Sequence, residues 1–249
     1  MTQDLWVAAH PYLRPLVDLA AQVDRAAGGI EVLEARIPVW EDYRPEFLVG
    51  VPLLLSAGAA VDLEPGDRMA ASLLERIASS ESLGCLAEDP GLGRYVRWTA
   101  MTRYLRPVVD AFDRWRDDQR WLRRYCPTCG SLPAMAQLVG IDSGRKRVLS
   151  CGCCGTRWQF KRTGCPFCET DSQRLSSVSI EGESGLRIDH CTSCSGYLKT
   201  YDGQGNESLM LSDWSSLHLD VIAHDRGLKR LAASLYEFEP AIMQLGADA

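Results

Sequence analysis

The sequence predicts an α+β protein. An N-terminal all-helical domain covers residues 1–122, two tandem four-cysteine ribbons follow over 123–163 and 164–203, and a C-terminal helix and tail occupy 204–249. Three observations carry this prediction. Apolar residues recur at three- and four-residue spacings before residue 122. Between 126 and 200, short β-type runs alternate with Cys-x-x-Cys turns. The two halves of that cysteine-rich stretch repeat each other at offsets of 39 and 40 residues.

In the first element, Leu13, Leu16, Val17, Ala20 and Val23 fall on one helix face, and Met69, Leu73 and Ile77 do the same further on. Pro38, Pro45, Pro52 and Pro65-Gly66 cut the intervening chain into short pieces. The run 47–61 is apolar for 15 residues but contains Pro52, which makes it short for a membrane span and predicts a buried helix. Asp89 and Pro90 make a good N-cap and first helical position. From there Trp98, Met101, Leu105, Val108, Phe112, Trp115 and Leu122 form an apolar seam, which Pro107 should kink or split.

The ribbons rest on four Cys-x-x-Cys pairs: Cys126/Cys129, Cys151/Cys154, Cys165/Cys168 and Cys191/Cys194. Two sulfurs from one tight turn can face one ion, so a tetrahedral thiolate site needs two such turns. The gap from Cys129 to Cys151 is 21 residues and that from Cys168 to Cys191 is 22, each the length of a β-hairpin; Cys154 to Cys165 leaves only 10. The spacing therefore favours pairing within each copy, giving two metal sites, over a cross-brace between copies. Strand-type runs are "AMAQLVG", "KRVLSC", "RWQFKR", "LSSVSIEG" and "LRIDH". Of the other cysteines, Cys153 lies inside the second turn and is expected to be a bystander, and Cys85 has no partner spacing. His190 is read as a flank of Cys191. His10, His218 and His224 are read as ordinary side chains; the last two, six residues apart, share no helix face, and neither has a nucleophile or base partner in the sequence. After residue 203 a helix is expected over 211–236, with Trp214, Leu217, Val221 and Leu228 on its inner face.

The N-terminus has no basic stretch followed by an apolar one, so reduced thiols in the cytoplasm are the expectation, not disulfides. Residues 121–200 hold 11 Lys/Arg against 6 Asp/Glu within a chain of net charge −6. Eight thiolates on two divalent ions add about −4, which largely removes the case for nucleic acid. A closed tetrathiolate site offers no position for water or substrate. The sequence also lacks G-x-G-x-x-G, P-loop, G-x-S-x-G and H-E-x-x-H motifs. The residues therefore point to a binding or redox protein with no catalytic residues.

The stretches "YCPTCGSLPAMAQLVG", "RVLSCGCCGTRWQFKRTGCPFC" and "DHCTSCSGYLKTYD", and more loosely "LSDWSSLHLDVIAHDRGLKR", resemble the formate dehydrogenase accessory proteins, FdhE. The resemblance covers about residues 121–230. Departures are Ser212-Asp213-Trp214 where the family has Asp-Asp-Leu, and "GLKRLAASLYEF" where it has an Asn-Pro-Phe ending. The resemblance implies two rubredoxin-like or zinc-ribbon modules holding two metal ions, iron favoured and zinc possible, with the eight paired cysteines as ligands. It also implies a cytoplasmic maturation factor that binds the catalytic subunit of formate dehydrogenase before export. Alternatives are a rubredoxin-type electron carrier and a zinc-ribbon nucleic-acid binder.

Overall fold

The computed structural model describes residues 3–27, 96, 99, 106, 110, 113, 121–128, 130–141, 144–152, 154–170, 172–183 and 185–232. Helices α1 (Gln3–Ala9) and α2 (Arg14–Ala27) flank a short 3-10 turn, Pro11–Leu13. The expected inner face of α2 is the observed one: Leu13, Val17 and Val23 are buried, while Leu16 and Ala20 are half-buried. Val96, Thr99, Arg106, Asp110 and Asp113 are helical, and the Arg106 side chain pairs with Asp110 one turn on, at 2.9 Å. The rest of the expected helical domain, including the helix at 69–77, most of the seam, the apolar run 47–61, and Cys85, lies outside the described residues.

At the end of the seam the phase differs from the expectation. Residue 121 is no longer helical, and Trp121 is fully buried while Leu122 is exposed. The indole wins because it closes the first cysteine cluster and donates its N–H to the Tyr125 carbonyl at 3.1 Å.

Six strands form one mixed sheet. They are β1 (Pro133–Val139), β2 (Lys146–Cys151), β3 (Arg157–Phe160), β4 (Leu175–Ser179), β5 (Leu186–Cys191) and β6 (Tyr197–Tyr201), in the order β3-β2-β1-β6-β5-β4. Within each repeat the pairing is antiparallel. The repeats meet where β1 runs parallel to β6, with Met135, Ala136 and Gln137 opposite Lys199, Thr200 and Tyr201. The sheet is thus one three-stranded unit followed by its translated copy. The two central strands are buried along nearly their whole length, as strands covered on both faces must be. The edges are blunted: β3 has four residues, and β4 exposes serines.

Strand β6 is not among the expected strands. Its sequence, Tyr-Leu-Lys-Thr-Tyr, places a lysine where an apolar residue would be expected, and the structure shows why that is tolerated. Lys199, 1% exposed, lies 2.7 Å from Asp213 and 2.8 Å from Asp220. Arg230 pairs with the same two carboxylates at 2.7 and 2.6 Å, and the Tyr197 hydroxyl donates to Asp220 at 2.7 Å. A buried charge is acceptable only when paired and hydrogen-bonded, and all four charges here are.

These charges also reshape the C-terminal region. In place of the helix expected over 211–236, there are α3 (Glu207–Met210), a 3-10 turn (Asp213–Ser216) and α4 (Leu217–Asp225), which stops at Gly227 with φ 70°. The inner face of α4 is Leu219, Asp220 and Ala223, while Val221 is exposed. The expected face, counted from apolar residues alone, left out Asp220, which is buried here against Lys199 and Arg230.

Two cores result. One gathers Trp121, Trp158, Phe160, Leu149, Phe167 and Leu198 around the cysteines. The other packs Trp6, Val7, Leu13 and Val17 against β5, β6, α3 and α4. Among the described residues no helix is long and apolar enough to cross a membrane.

Candidate metal centres

The four cysteine turns share one backbone design. The first cysteine's N–H bonds the carbonyl five residues on: Cys126 to Ser131, Cys151 to Thr156, Cys165 to Thr170 and Cys191 to Gly196, all at 2.8–2.9 Å. The residue after the second cysteine has positive φ in every copy: Gly130 (79°), Gly155 (73°), Glu169 (61°) and Ser195 (57°). That left-handed residue turns the chain back so both sulfurs project to one side. Backbone amides then point at sulfur, from Thr128 to Cys126, Phe167 to Cys165 and Gly196 to Cys194, each at 3.4 Å.

Each hairpin brings its two turns together. Cys165, Cys168, Cys191 and Cys194 converge, with Sγ–Sγ distances of 3.8 Å for Cys165–Cys194 and 3.7 Å for Cys168–Cys191. Cys126, Cys151 and Cys154 form the other cluster, with Cys126 and Cys154 at 3.5 Å. Cys129 and Cys153 lie outside the described residues. Pairing therefore runs within each repeat, and the cross-brace is ruled out. The separations are far beyond a disulfide bond of about 2.05 Å. A tetrahedron with metal–sulfur bonds of about 2.3 Å puts its sulfurs about 3.8 Å apart, so the set Cys165, Cys168, Cys191 and Cys194 fits a tetrathiolate ion, and the three described thiols of the other cluster fit part of one.

The surroundings differ. The first cluster is sealed by Trp121 and by Trp158, whose N–H donates to the Arg123 carbonyl at 3.0 Å. Thr128 and Thr156, from its two turns, are hydrogen-bonded at 2.8 Å, and Thr128 also reaches Asp113 of the preceding helix at 3.4 Å. In the second cluster Cys168 is exposed. A hydrogen bond with the Thr170 hydroxyl leads the effects that bring its thiol down to about 6, whereas burial pushes Cys165 up to about 12. Gly196 has no room for a side chain, since a Cβ there would stand 2.6 Å from Leu231, 2.9 Å from Phe167 and 3.2 Å from Cys194 Sγ.

The histidines need one correction. His218 has partners: the Tyr12 hydroxyl at 2.5 Å from Nδ1, and Glu183 at 2.9 Å from Nε2. His10 joins the same group, 2.6 Å from Glu183. Sequence spacing could not have shown this, because the three residues come from three distant segments. His224 is exposed on α4, with Nδ1 3.8 Å from Asp225.

Two hairpin-built cysteine clusters on one sheet, flanked by helices, define a tandem cysteine-ribbon protein whose clusters, four thiols in one and three described in the other, could hold metal ions. No family model matches the chain. It is 30% identical to a protein FdhE homolog of Aquifex aeolicus over 130 residues, which is 50% of this chain and 46% of that protein. It is 36% identical to one of Pseudomonas aeruginosa over 120 residues, covering 43% and 38% of the two chains. A third, from Cronobacter sakazakii, is 26% identical over 242 residues, 91% of this chain and 76% of the relative. The first two matches thus span half or less of those relatives' length. The crystal structure of the FdhE protein from Pseudomonas aeruginosa shares the fold, with a TM-score of 0.58 at 22% identity over 92% of this chain and 90% of that one. These likenesses place the chain beside the FdhE proteins in sequence and in fold.

Proposed function

We propose that this protein is a cytoplasmic maturation factor. It binds the catalytic subunit of formate dehydrogenase before export, and its two metal ribbons build the binding surface. The carrying observation is the convergence of two cysteine clusters on a single sheet in a chain similar to FdhE proteins. Cys126, Cys129, Cys151 and Cys154 hold one ion, and Cys165, Cys168, Cys191 and Cys194 hold the other. The ions cross-link pairs of turns that are too small to hold their shape alone, and iron would additionally allow one-electron chemistry. The chain's own contribution is to orient the thiolates, stabilise their charge with backbone N–H groups, and exclude water with Trp121 and Trp158. The Thr128–Asp113 contact supports a continuous surface from the helical half to the first ribbon. Such a surface suits gripping a client, and the role is binding without catalysis.

The test is an anaerobic pull-down of tagged protein from formate-grown cells beside a Cys126→Ser/Cys129→Ser variant, with metal measured on both. Recovery of a formate dehydrogenase catalytic subunit with the parent, lost with the variant, is the expected result. Zinc and nucleic acid on the parent with no such subunit would overturn the proposal.

A further inference from the structure

Outside the cysteines, one cluster of ligand-type side chains is assembled from chain segments far apart in sequence. His10 follows α1, Glu183 sits in the turn between β4 and β5, and His218 is the second residue of α4. The Nε2 atoms of His10 and His218 lie 2.6 and 2.9 Å from the same oxygen of Glu183, Oε1. The imidazoles stack with centroids 4.8 Å apart and planes inclined by 27°, and the ligand atoms of the three residues all lie within 4.8 Å of one another. All three side chains are largely enclosed, at 14%, 8% and 17% exposure for His10, Glu183 and His218.

A hydrogen-bonded histidine–glutamate–histidine chain accounts for only part of this arrangement. His218 Nε2 is buried without a hydrogen-bond partner, because Glu183 Oε1, although close, is out of line with the ring nitrogen. Glu183 Oε2 is likewise buried and unpaired. Two orphaned polar atoms in one cluster are uncommon in a folded protein, and a bound ion is among their standard explanations. Meanwhile the far nitrogens are occupied. His10 Nδ1 is 3.2 Å from the Trp6 carbonyl, and His218 Nδ1 is 2.5 Å from the Tyr12 hydroxyl. An imidazole that gives its Nδ1 proton to a carbonyl or hydroxyl oxygen presents a bare Nε2 lone pair, which is how protein-bound histidine ligands are usually held.

We propose that His10, Glu183 and His218 form a third metal site, distinct from the tetrathiolate centres, that takes a divalent first-row transition ion, zinc foremost. Two imidazoles and one carboxylate are a borderline donor set that selects such ions over calcium or magnesium, which favour oxygen alone. Three protein ligands leave the fourth tetrahedral position to water or to a group from a partner. The ion would tie the N-terminal segment, the β4–β5 turn and α4 into one unit. This inference does not depend on the proposed client.

The experiment uses untagged full-length protein, because a polyhistidine tag would itself bind the ion. The protein is loaded with cobalt, dialysed, and its metal equivalents counted beside a His10→Ala/His218→Ala variant and a Glu183→Gln variant. The parent is expected to retain one equivalent more than the double variant. That equivalent should add visible d–d absorption with no accompanying sulfur-to-metal charge-transfer band. Glu183→Gln should weaken this equivalent at least tenfold. Equal stoichiometry in parent and double variant overturns the site. Should the variants fail to fold, zinc-edge X-ray absorption of the fully loaded parent decides. Histidine scattering alongside sulfur supports the site, and an all-sulfur environment overturns it.

Discussion

The Lys199 ammonium sits 2.8 Å from Asp220 Oδ2, and neither side chain reaches solvent. The lysine comes from the central strand β6 and the aspartate from α4, so the pair is the bolt between sheet and C-terminal helices. Replacing Lys199 with Met removes one charge and leaves Asp213 and Asp220 to share Arg230. The expected cost is about 3 kcal/mol, at the low end for breaking a buried ion pair. Urea denaturation with saturating metal measures it, and a loss below about 1 kcal/mol would show that Arg230 alone neutralises both carboxylates.

Acid should act on the same network through Asp213. Burial favours its neutral form, but Lys199 and Arg230 outweigh that and hold the carboxyl well below its usual range. A group whose folded pKa is depressed contributes stability above its unfolded value, about 3.9, and loses it as pH falls through the range below. The stability difference between parent and Asp213→Asn should therefore stay constant from pH 7 to about pH 5 and shrink below about pH 4. A difference that grows with acid would contradict the assignment.

The left-handed position after each second cysteine gives an asymmetric forecast. Glycine fills it in the first ribbon, but Glu169 and Ser195 fill it in the second. Glu169→Gly relieves a strained residue and forfeits only an exposed ion pair with Arg124 at 3.8 Å. It should stabilise by about 0.5–1 kcal/mol. Gly155→Ala has space for its methyl yet keeps φ at 73°, so it should destabilise by about 1 kcal/mol. Thermal unfolding of the metal-loaded proteins checks both signs.

Metal counting separates ligand from bystander in "SCGCCG". Cys151→Ser is expected to lose the ion of the first ribbon, since Cys151 clusters with Cys126 and Cys154. Cys153→Ser should keep it. Loss of metal from both variants would mean that Cys153 has a part in the site.

Gly196→Ala offers a steric counterpart. The added methyl would press on Phe167, Leu231 and Cys194 Sγ together. The second ribbon should lose its ion while the first keeps its own, which the remaining metal equivalent would report.

Much of this architecture was legible in the sequence because it is local. Hairpin-length gaps between cysteine pairs sufficed to join Cys126 with Cys151 and Cys154, and Cys165 and Cys168 with Cys191 and Cys194. Five of the six strands showed in their composition, and the face of α2 followed from its spacing. What stayed hidden is long-range compensation. A lysine argues against a buried strand until Asp213 and Asp220 are seen beside it. Asp220 argues for an outward face until Lys199 is seen. His10, Glu183 and His218 share no spacing at all. Parallel pairing of β1 with β6 was equally invisible, since no turn connects them.

The reach of Trp6 to the Ser215 carbonyl, 2.9 Å across 209 residues of chain, bears on how the protein is made. Both cysteine clusters close within 28 or 29 residues and can assemble as soon as their hairpins leave the ribosome. The N-terminal helices cannot. At about 5–20 residues per second they wait roughly 10–40 s for α4, with Trp6, Val7 and Leu13 uncovered meanwhile. The cysteine ribbons are thus finished before α1 and α2, which are made earlier than the ribbons but are seated later.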